Sequence, residues 1–269
     1  MSILSDRDIQ RELGKNILIY PFNEDNLKGA SYNLTVSKLA WKVRDGESAY
    51  DSSINRIVIP ENSTVIIQTN EAIWVSKKIA GTYHSKVALV SQGIGHIGTT
   101  LDPNYQGVSL IAVHNHSNQS IELEPEKDTF VSLMFYYVKT KSSIPHTNDP
   151  GRPEILKLLK QVQVTPEESR WLEEPFRKDT ERLRKKLKES DNFKNFKKDL
   201  LGNLFYFLPY IILIALTILS LCIYLYLDSN RTIFSENSWY NTVISIFDKT
   251  TFLAFGALIV QFTNDVRRG

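Results

Sequence analysis

The 269-residue sequence predicts a mostly-β head, a sandwich or barrel, joined through a helical connector to two C-terminal transmembrane helices. Three observations carry that prediction. Residues 1–138 hold many short apolar runs punctuated by turn formers. At Thr165 the pattern switches to helix-start signals and then to dense Lys and Arg. Residues 204–227 form an apolar run, with no charged side chain between Asp199 and Asp228. Short strands with frequent turns read as all-β architecture. At ~1.5 Å rise per residue, the apolar run is long enough to cross a hydrocarbon core of roughly 30 Å.

The elements follow in chain order. Ser5 is placed to cap an early helix, with Asp8 in its first turn and Gly14 just past its end. The strand candidates are residues 17–20, 31–36, 56–59, 64–68, 109–114, 120–123 and 129–138. Between them lie turn formers such as Asp45-Gly46, Pro60, Pro103-Asn104 and Pro125. Val108-Ser109-Leu110 alternates, whereas Val65-Ile66-Ile67 is continuously apolar and suits a strand covered on both faces.

Residues 139–154 read as a linker, and a short apolar helix candidate covers 155–162. Thr165-Pro166-Glu167-Glu168 supplies a cap, a proline at the first helical position and a glutamate at the third. Pro175 kinks or restarts that helix. From there the apolar positions thin to Phe176, Leu183, Leu187, Phe193 and Phe196, among cations including Arg182, Arg184, Lys185, Lys186, Lys188, Lys194, Lys197 and Lys198. That stretch reads either as a solvated stalk or, lying directly before a membrane run, as a cytoplasmic-side topology signal. Attraction to anionic headgroups is compatible with both.

The second span is expected over residues 240–262, opened by Trp239-Tyr240. Asp248 and Lys249 would then lie inside the membrane, at ~2.5–3.5 kcal/mol each near its centre. An interfacial or re-entrant segment is the alternative. Arg267 and Arg268 match the sign of the basic stretch, as a hairpin with both ends in the cytoplasm requires. If the segment spans, Asn241, Ser245 and Asp248 form one polar stripe, lining a pore or gluing helices together. The expected organisation is a head at 1–138, a connector at 139–203, a hairpin at 204–262 and a tail at 263–269.

A formal net charge of +2 speaks against general nucleic-acid binding. The one cysteine, Cys222, leaves no intrachain disulfide and fits a reducing compartment. The opening residues, rich in Asp and Arg, do not read as a secretion signal. His114 and His116 share a strand face but come with no further ligands, so they read as surface histidines and no metal site is expected.

The head resembles the dCTP deaminase and dUTPase superfamily. The likeness rests on Ile3-Leu4-Ser5-Asp6-Arg7-Asp8-Ile9, Pro21-Phe22, Gly29-Ala30-Ser31-Tyr32-Asn33-Leu34, and Thr69-Asn70-Glu71-Ala72-Ile73. It continues through Ile79-Ala80-Gly81, residues 86–94 and the stretch from Gly98 to Gly107. It covers about half the chain and implies a distorted jelly-roll head. It also implies trimers with ligand pockets between subunits.

The resemblance further implies which reactive groups are gone. Ala112 stands where the deaminases hold their proton-shuttling glutamate, Val87 where they hold a serine, and Lys86 and Ser91 where they hold arginines. Asn33 replaces the aspartate that supports a metal-bound triphosphate in dUTPases. No catalytic residue, metal or cofactor is therefore expected. Lys86, Thr99, Thr100, Asp102 and Tyr105 remain as candidate ligand-binding residues, although residues 102–107 also read as a plain turn.

The expected function is a membrane-anchored sensor and effector. Its inactive head binds a nucleotide or cyclic nucleotide and controls a membrane-disrupting hairpin. The layout resembles nucleotide-gated membrane effectors of bacterial antiphage systems. The expected partners are the nucleotide, membrane lipids and two further copies of the chain, at the inner membrane with head and C-terminus in the cytoplasm. The alternative is a membrane-tethered dCTP deaminase or dUTP diphosphatase. A third is a scaffold that binds nothing.

Overall fold

The computed structural model describes residues 2–96, 98–144, 165–206 and 208–230, with three isolated positions at 242, 245 and 256. The later part of the expected linker, the helix candidate at 155–162 and the tail lie outside the described residues. So does the second span, apart from those isolated positions.

The head is a curled antiparallel sheet. Its strands are β1 (Ser2–Ile3), β2 (Ile17–Tyr20), β3 (Leu27–Lys28), β4 (Ser31–Lys42), β5 (Tyr50–Asp51), β6 (Arg56–Ile59), β7 (Ser63–Val75), β8 (Ile79–Ser85), β9 (Ile94–His96), β10 (Thr100–Leu101), β11 (Gln106–Asn115), β12 (Ile121–Leu123) and β13 (Thr129–Tyr137). The main sheet runs β10-β8-β13-β4-β7-β11-β9, with β1 on β13, β2 on β7 and β3 on β4. A small sheet runs β12-β6-β5. Curling is built into β4. Its first part, from Tyr32 to Thr35, pairs with β13. From Val36 onward it pairs with β7, across a register shift between Val36 and Ala40. One long strand thus serves two parts of the sheet, and the irregularity sharpens the bend.

Two strands differ informatively from expectation. The sequence reading stops a strand at Gln68, before the polar Thr69-Asn70-Glu71. In the structure β7 continues to Val75, since neighbouring strands satisfy those polar groups. Thr35 of β4 donates its N–H (3.0 Å) and its hydroxyl (2.8 Å) to the Glu71 carboxylate, and the Ser109 N–H of β11 donates to Thr69 Oγ1 at 2.9 Å. β8 was not among the expected strands, although Ile79, Gly81 and Tyr83 alternate inward. Gly81 breaks its apolar pattern, and the fold explains the glycine: a Cβ there would lie 2.8 Å from the Met134 carbonyl oxygen and 2.9 Å from Leu133 Cδ1.

The helix signals match. α1 (Asp6–Glu12) is capped by Ser5 in a reciprocal box with Asp8, and Gly14 follows its end at φ 83°. α2 (Val87–Val90) is a short turn after β8. α3 (Pro166–Leu172) starts at the Thr165–Glu168 box with proline in its first turn. Pro175 restarts the helix as α4 (Pro175–Lys178), followed by α5 (Thr180–Glu189) and α6 (Asp191–Tyr206).

The basic stretch is more than a solvated stalk. Phe176, Leu183, Leu187, Phe193 and Phe196 are all buried in the head core, and α5 packs on β2. This explains why Ile17, Leu18 and Ile19 are inaccessible on both faces. Each such apolar side chain removed from water contributes roughly 1.5–3 kcal/mol. Phe22 receives Phe196 at 5.1 Å and Phe193 at 6.0 Å between ring centroids. Hydrogen bonds fix the same strap: Arg184 donates to the Gly14 carbonyl at 2.9 Å, and Asn192 to that of Phe22 at 3.2 Å. The first compact unit accordingly runs from Met1 to Phe196.

The second unit, Lys197–Gly269, contains α7 (Leu208–Ser229). Within it, Ile212–Ser229 has a mean hydropathy of 2.0 and is 6% buried. By length and composition this helix can cross a membrane. Ile214, Leu216, Ile218, Leu219 and Leu221 are exposed, whereas Thr217 turns its hydroxyl back onto the Leu213 carbonyl at 2.7 Å. That is how a hydroxyl is satisfied in lipid.

Candidate functional site

Four of the five candidate residues lie along one bend of chain, the β10–β11 hairpin, whose arms pair with β8 and β7 rather than with each other. Thr100 pairs with Thr82 and Leu101 with Gly81, so β10 runs along the edge of β8. Thr99 stays exposed and accepts the Tyr83 N–H on its carbonyl at 3.1 Å. The chain then turns: the Tyr105 N–H reaches the Asp102 carbonyl at 3.1 Å, with Asn104 at φ 66°. A short polar side chain tolerates that left-handed conformation. Thr99, Thr100 and Asp102 thus present exposed hydroxyls and a carboxylate along one stretch of chain.

Tyr105 plays a different part. Only 9% exposed, it packs in the core and donates its hydroxyl to the Val108 carbonyl. It holds the hairpin down.

Lys86 lies elsewhere. It follows the last residue of β8, four positions past Thr82, which is about 13 Å at strand rise. Its ammonium is half-buried and donates to Thr129 Oγ1. Burial, and then the charge of Lys28, lower its pKa, opposed by Asp128. On β4, the next strand beyond β13, Asn33 is buried and accepts the Ser132 hydroxyl at 2.7 Å. That amide carries no negative charge for a metal-bound triphosphate. Within one chain there are therefore two patches, the Thr99–Asp102 hairpin and the Lys86–Lys28 end of β8.

Beneath the hairpin runs a buried polar chain that the sequence reading missed. The Tyr83 and Ser109 hydroxyls meet at 2.5 Å, the Ser109 N–H bonds Thr69 Oγ1, and the Thr69 hydroxyl donates to the Glu71 carbonyl at 2.9 Å. Burial, then Tyr105 and Asp102, push the Tyr83 phenol far up, so it stays a neutral donor. The Glu71 carboxyl is pushed up to about 7 by burial, against the pull of Thr35. The available signal was Tyr83 at an inward position of β8. Ser109 escapes alternation because the β11–β7 register shifts between Val108 and Leu110.

Ala112 and Val87 carry no proton-transfer group. Ala112 is a half-exposed residue of β11 paired with Ile66. Val87, on α2, is 84% exposed, and the neighbouring Ser91 hydroxyl bonds the Ala88 carbonyl at 2.9 Å. Neither an alanine nor a valine accepts or gives a proton. The His114 and His116 rings stand 4.0 Å apart, and His114 Nδ1 lies 2.8 Å from Thr64 Oγ1. Among the described residues no three His, Cys, Asp or Glu side chains gather as a metal site.

The family model described as dCTP deaminase-like matches residues 3–136. Residues 3–136 are a dCTP deaminase-like domain. A dCTP deaminase of Thermococcus sibiricus is 28% identical over 158 residues, covering 59% of this chain and 97% of that protein. One from Pyrococcus horikoshii is 27% identical over 141 residues, covering 51% of this chain and 86% of its own length. Among solved structures, the 2′-deoxycytidine 5′-triphosphate deaminase of Agrobacterium tumefaciens aligns with a TM-score of 0.43 and 15% identity, covering 61% of this chain and 54% of that one. The EIAV dUTPase aligns at 0.34 and 22% identity, covering 50% and 93%. In the dCTP deaminase-like head, then, the strap and α7 both lie beyond the matched residues.

Proposed function

We propose that this protein is a membrane-anchored nucleotide-binding sensor whose dCTP deaminase-like head controls its membrane segment and performs no turnover. One observation carries the reading. A deaminase-like head with Ala112, Val87 and Asn33 at the reactive positions is followed by an exposed apolar helix of spanning length. A fold suited to deoxynucleotides, stripped of proton-transfer groups, is suited to holding its guest. Thr99, Thr100 and Asp102 supply hydrogen-bonding groups for a base or sugar, and Lys86 supplies a cation for phosphate. Thr99 and Thr100 lie against the middle of β8 and Lys86 just past its end, three to four residues or ~10–13 Å away, a span that an extended nucleoside triphosphate can bridge. A trimer with pockets between subunits is what the superfamily resemblance implies.

A ligand controls the membrane segment only if it binds two arrangements of the assembly unequally. The layout supports an effector that breaches the inner membrane on ligand binding, in antiphage defence. The test is calorimetric titration of the full chain in detergent with dCTP, dUTP and a panel of cyclic nucleotides, followed by depolarisation measured in cells expressing it. Binding without turnover, with depolarisation that a tail deletion abolishes, is the expected outcome. The absence of binding across the panel removes the sensor.

A second reading is a membrane-tethered enzyme, favoured by the exposed Asp102 carboxylate and by relatives that are dCTP deaminases. Conversion of dCTP or dUTP that vanishes in Asp102→Ala would establish it.

A further inference from the structure

The hairpin bearing the candidate ligand residues is also where the head takes hold of its helical strap. Three consecutive residues point three ways. Asn104 donates its side-chain amide to the Ile144 carbonyl at 2.9 Å, holding the chain that leaves the last strand. Tyr105 anchors in the core. Gln106, the first residue of β11, accepts the Thr180 hydroxyl on Oε1 at 2.6 Å. Thr180 opens α5, whose start is stiffened by Asp179 accepting from the N–H groups of Glu181 and Arg182 at 2.8 and 3.1 Å. From there the chain continues through α6 to the apolar α7.

We propose that the Gln106–Thr180 hydrogen bond couples the candidate pocket hairpin to the strap, making Thr180 a positioning residue for the ligand-facing turn. The signalling role of this coupling rests on the nucleotide-binding reading above; the coupling itself does not. Two features single out this contact. It joins an element that the hairpin reaches within four residues of Asp102 to the first residue of a docked helix. It is also half-satisfied: Gln106 Nε2 is buried with no hydrogen-bond partner among the described residues. A buried amide N–H without an acceptor is a cost that a small shift of either element relieves. The Thr180 hydroxyl is therefore the one side-chain hydrogen-bond partner that holds Gln106 among the described residues. Coupling of this kind is reciprocal, so loosening either end loosens the other.

The test is hydrogen–deuterium exchange on the nucleotide-free full chain in detergent, with Thr180→Val, Gln106→Leu and the double variant. Thr180→Val is expected to speed exchange across residues 99–107 by about three- to tenfold, the scale of one hydrogen bond. Gln106→Leu should do the same in the first turn of α5, and the double variant should exceed neither single change. Exchange in β13 stays unchanged, which separates the relay from general destabilisation. Effects confined to the segment carrying the substitution, or additive in the double variant, overturn the coupling. A second arm adds dCTP. Protection that reaches α5 in the wild type but stops at the hairpin in Thr180→Val extends the relay to the ligand. Failure of every nucleotide to bind, with the ligand-free coupling intact, counts against the sensor reading alone.

Discussion

Arg177 places its guanidinium 3.4 Å above the centre of the Trp171 ring while donating Nε to the Trp171 carbonyl at 2.9 Å. The same group reaches the Asn70 carbonyl of β7 at 3.4 Å and lies 4.6 Å from the Phe176 ring. It is a buried cation held by carbonyl dipoles and aromatic faces. Burial lowers its pKa to about 10, so it stays charged at neutral pH.

A planar, delocalised cation with several fixed donors suits that setting and an ammonium does not. Arg177→Lys is expected to destabilise the head by about 1–3 kcal/mol, or several degrees in Tm for a unit of this size. Thermal unfolding followed by near-ultraviolet circular dichroism measures it. An unchanged Tm would mean that the clamp contributes nothing.

Glu71 makes stability depend on pH. Its folded-state pKa, about 7, lies above the unfolded value of 4.5 because burial disfavours the charge. The folded state therefore holds the proton more tightly than the unfolded chain does. The stabilisation is fully present below pH ~4.5 and is lost as pH rises through about 7. The whole swing is on the order of 3 kcal/mol. Glu71→Gln keeps an acceptor for Thr35 and cannot ionise. It should remove this slope in denaturant titrations between pH 5 and 8; an identical slope in the variant would exclude Glu71 as its source.

Gly81 allows β8 to lie against β13. Gly81→Ala would bring a methyl to 2.8 Å from a backbone oxygen that the sheet holds in place. A loss of about 1–3 kcal/mol is expected from such overpacking, read as a lower denaturant midpoint with the m-value unchanged. Full wild-type stability would show that the strands separate more easily than their packing implies.

Local chemistry made much of this fold legible. The Ser5–Asp8 and Thr165–Glu168 boxes, the restart at Pro175 and the runs at 17–20 and 56–59 depend on neighbours in sequence, and all stand as read. The turn at 102–107 was legible in Asp102-Pro103-Asn104, whereas its part in a ligand pocket came only from the family resemblance. What escaped depends on distant partners. Glu71 and Thr69 looked like a strand end because their ligands, Thr35 and Ser109, are remote in sequence. Ser109 turned inward through a register shift that alternation does not encode. The separation of Lys86 from Asp102 follows from the pairing of β8 with β10, which no spacing in the chain reveals.

The strap gives the last prediction. Leu183 and Leu187 are four apart, Phe193 and Phe196 three apart, so each pair forms one apolar stripe. The sequence displays the stripe but not the surface that receives it, which is why the cations around it read as a solvated stalk or a topology signal rather than as part of the head. In the structure those side chains cover Ile17–Ile19, Tyr20 and Phe22, with Phe176 meeting Tyr20 at 5.1 Å. A fragment ending at residue 138 would expose that whole face. Contiguous apolar surface of this kind drives association. Residues 1–138 are therefore expected to aggregate on expression, whereas 1–196 should stay soluble and unfold cooperatively. Gel filtration with light scattering on the two fragments decides it. A monodisperse, cooperatively folding 1–138 fragment would mean that the head closes its core without the strap, and that the helices after Thr165 are an accessory.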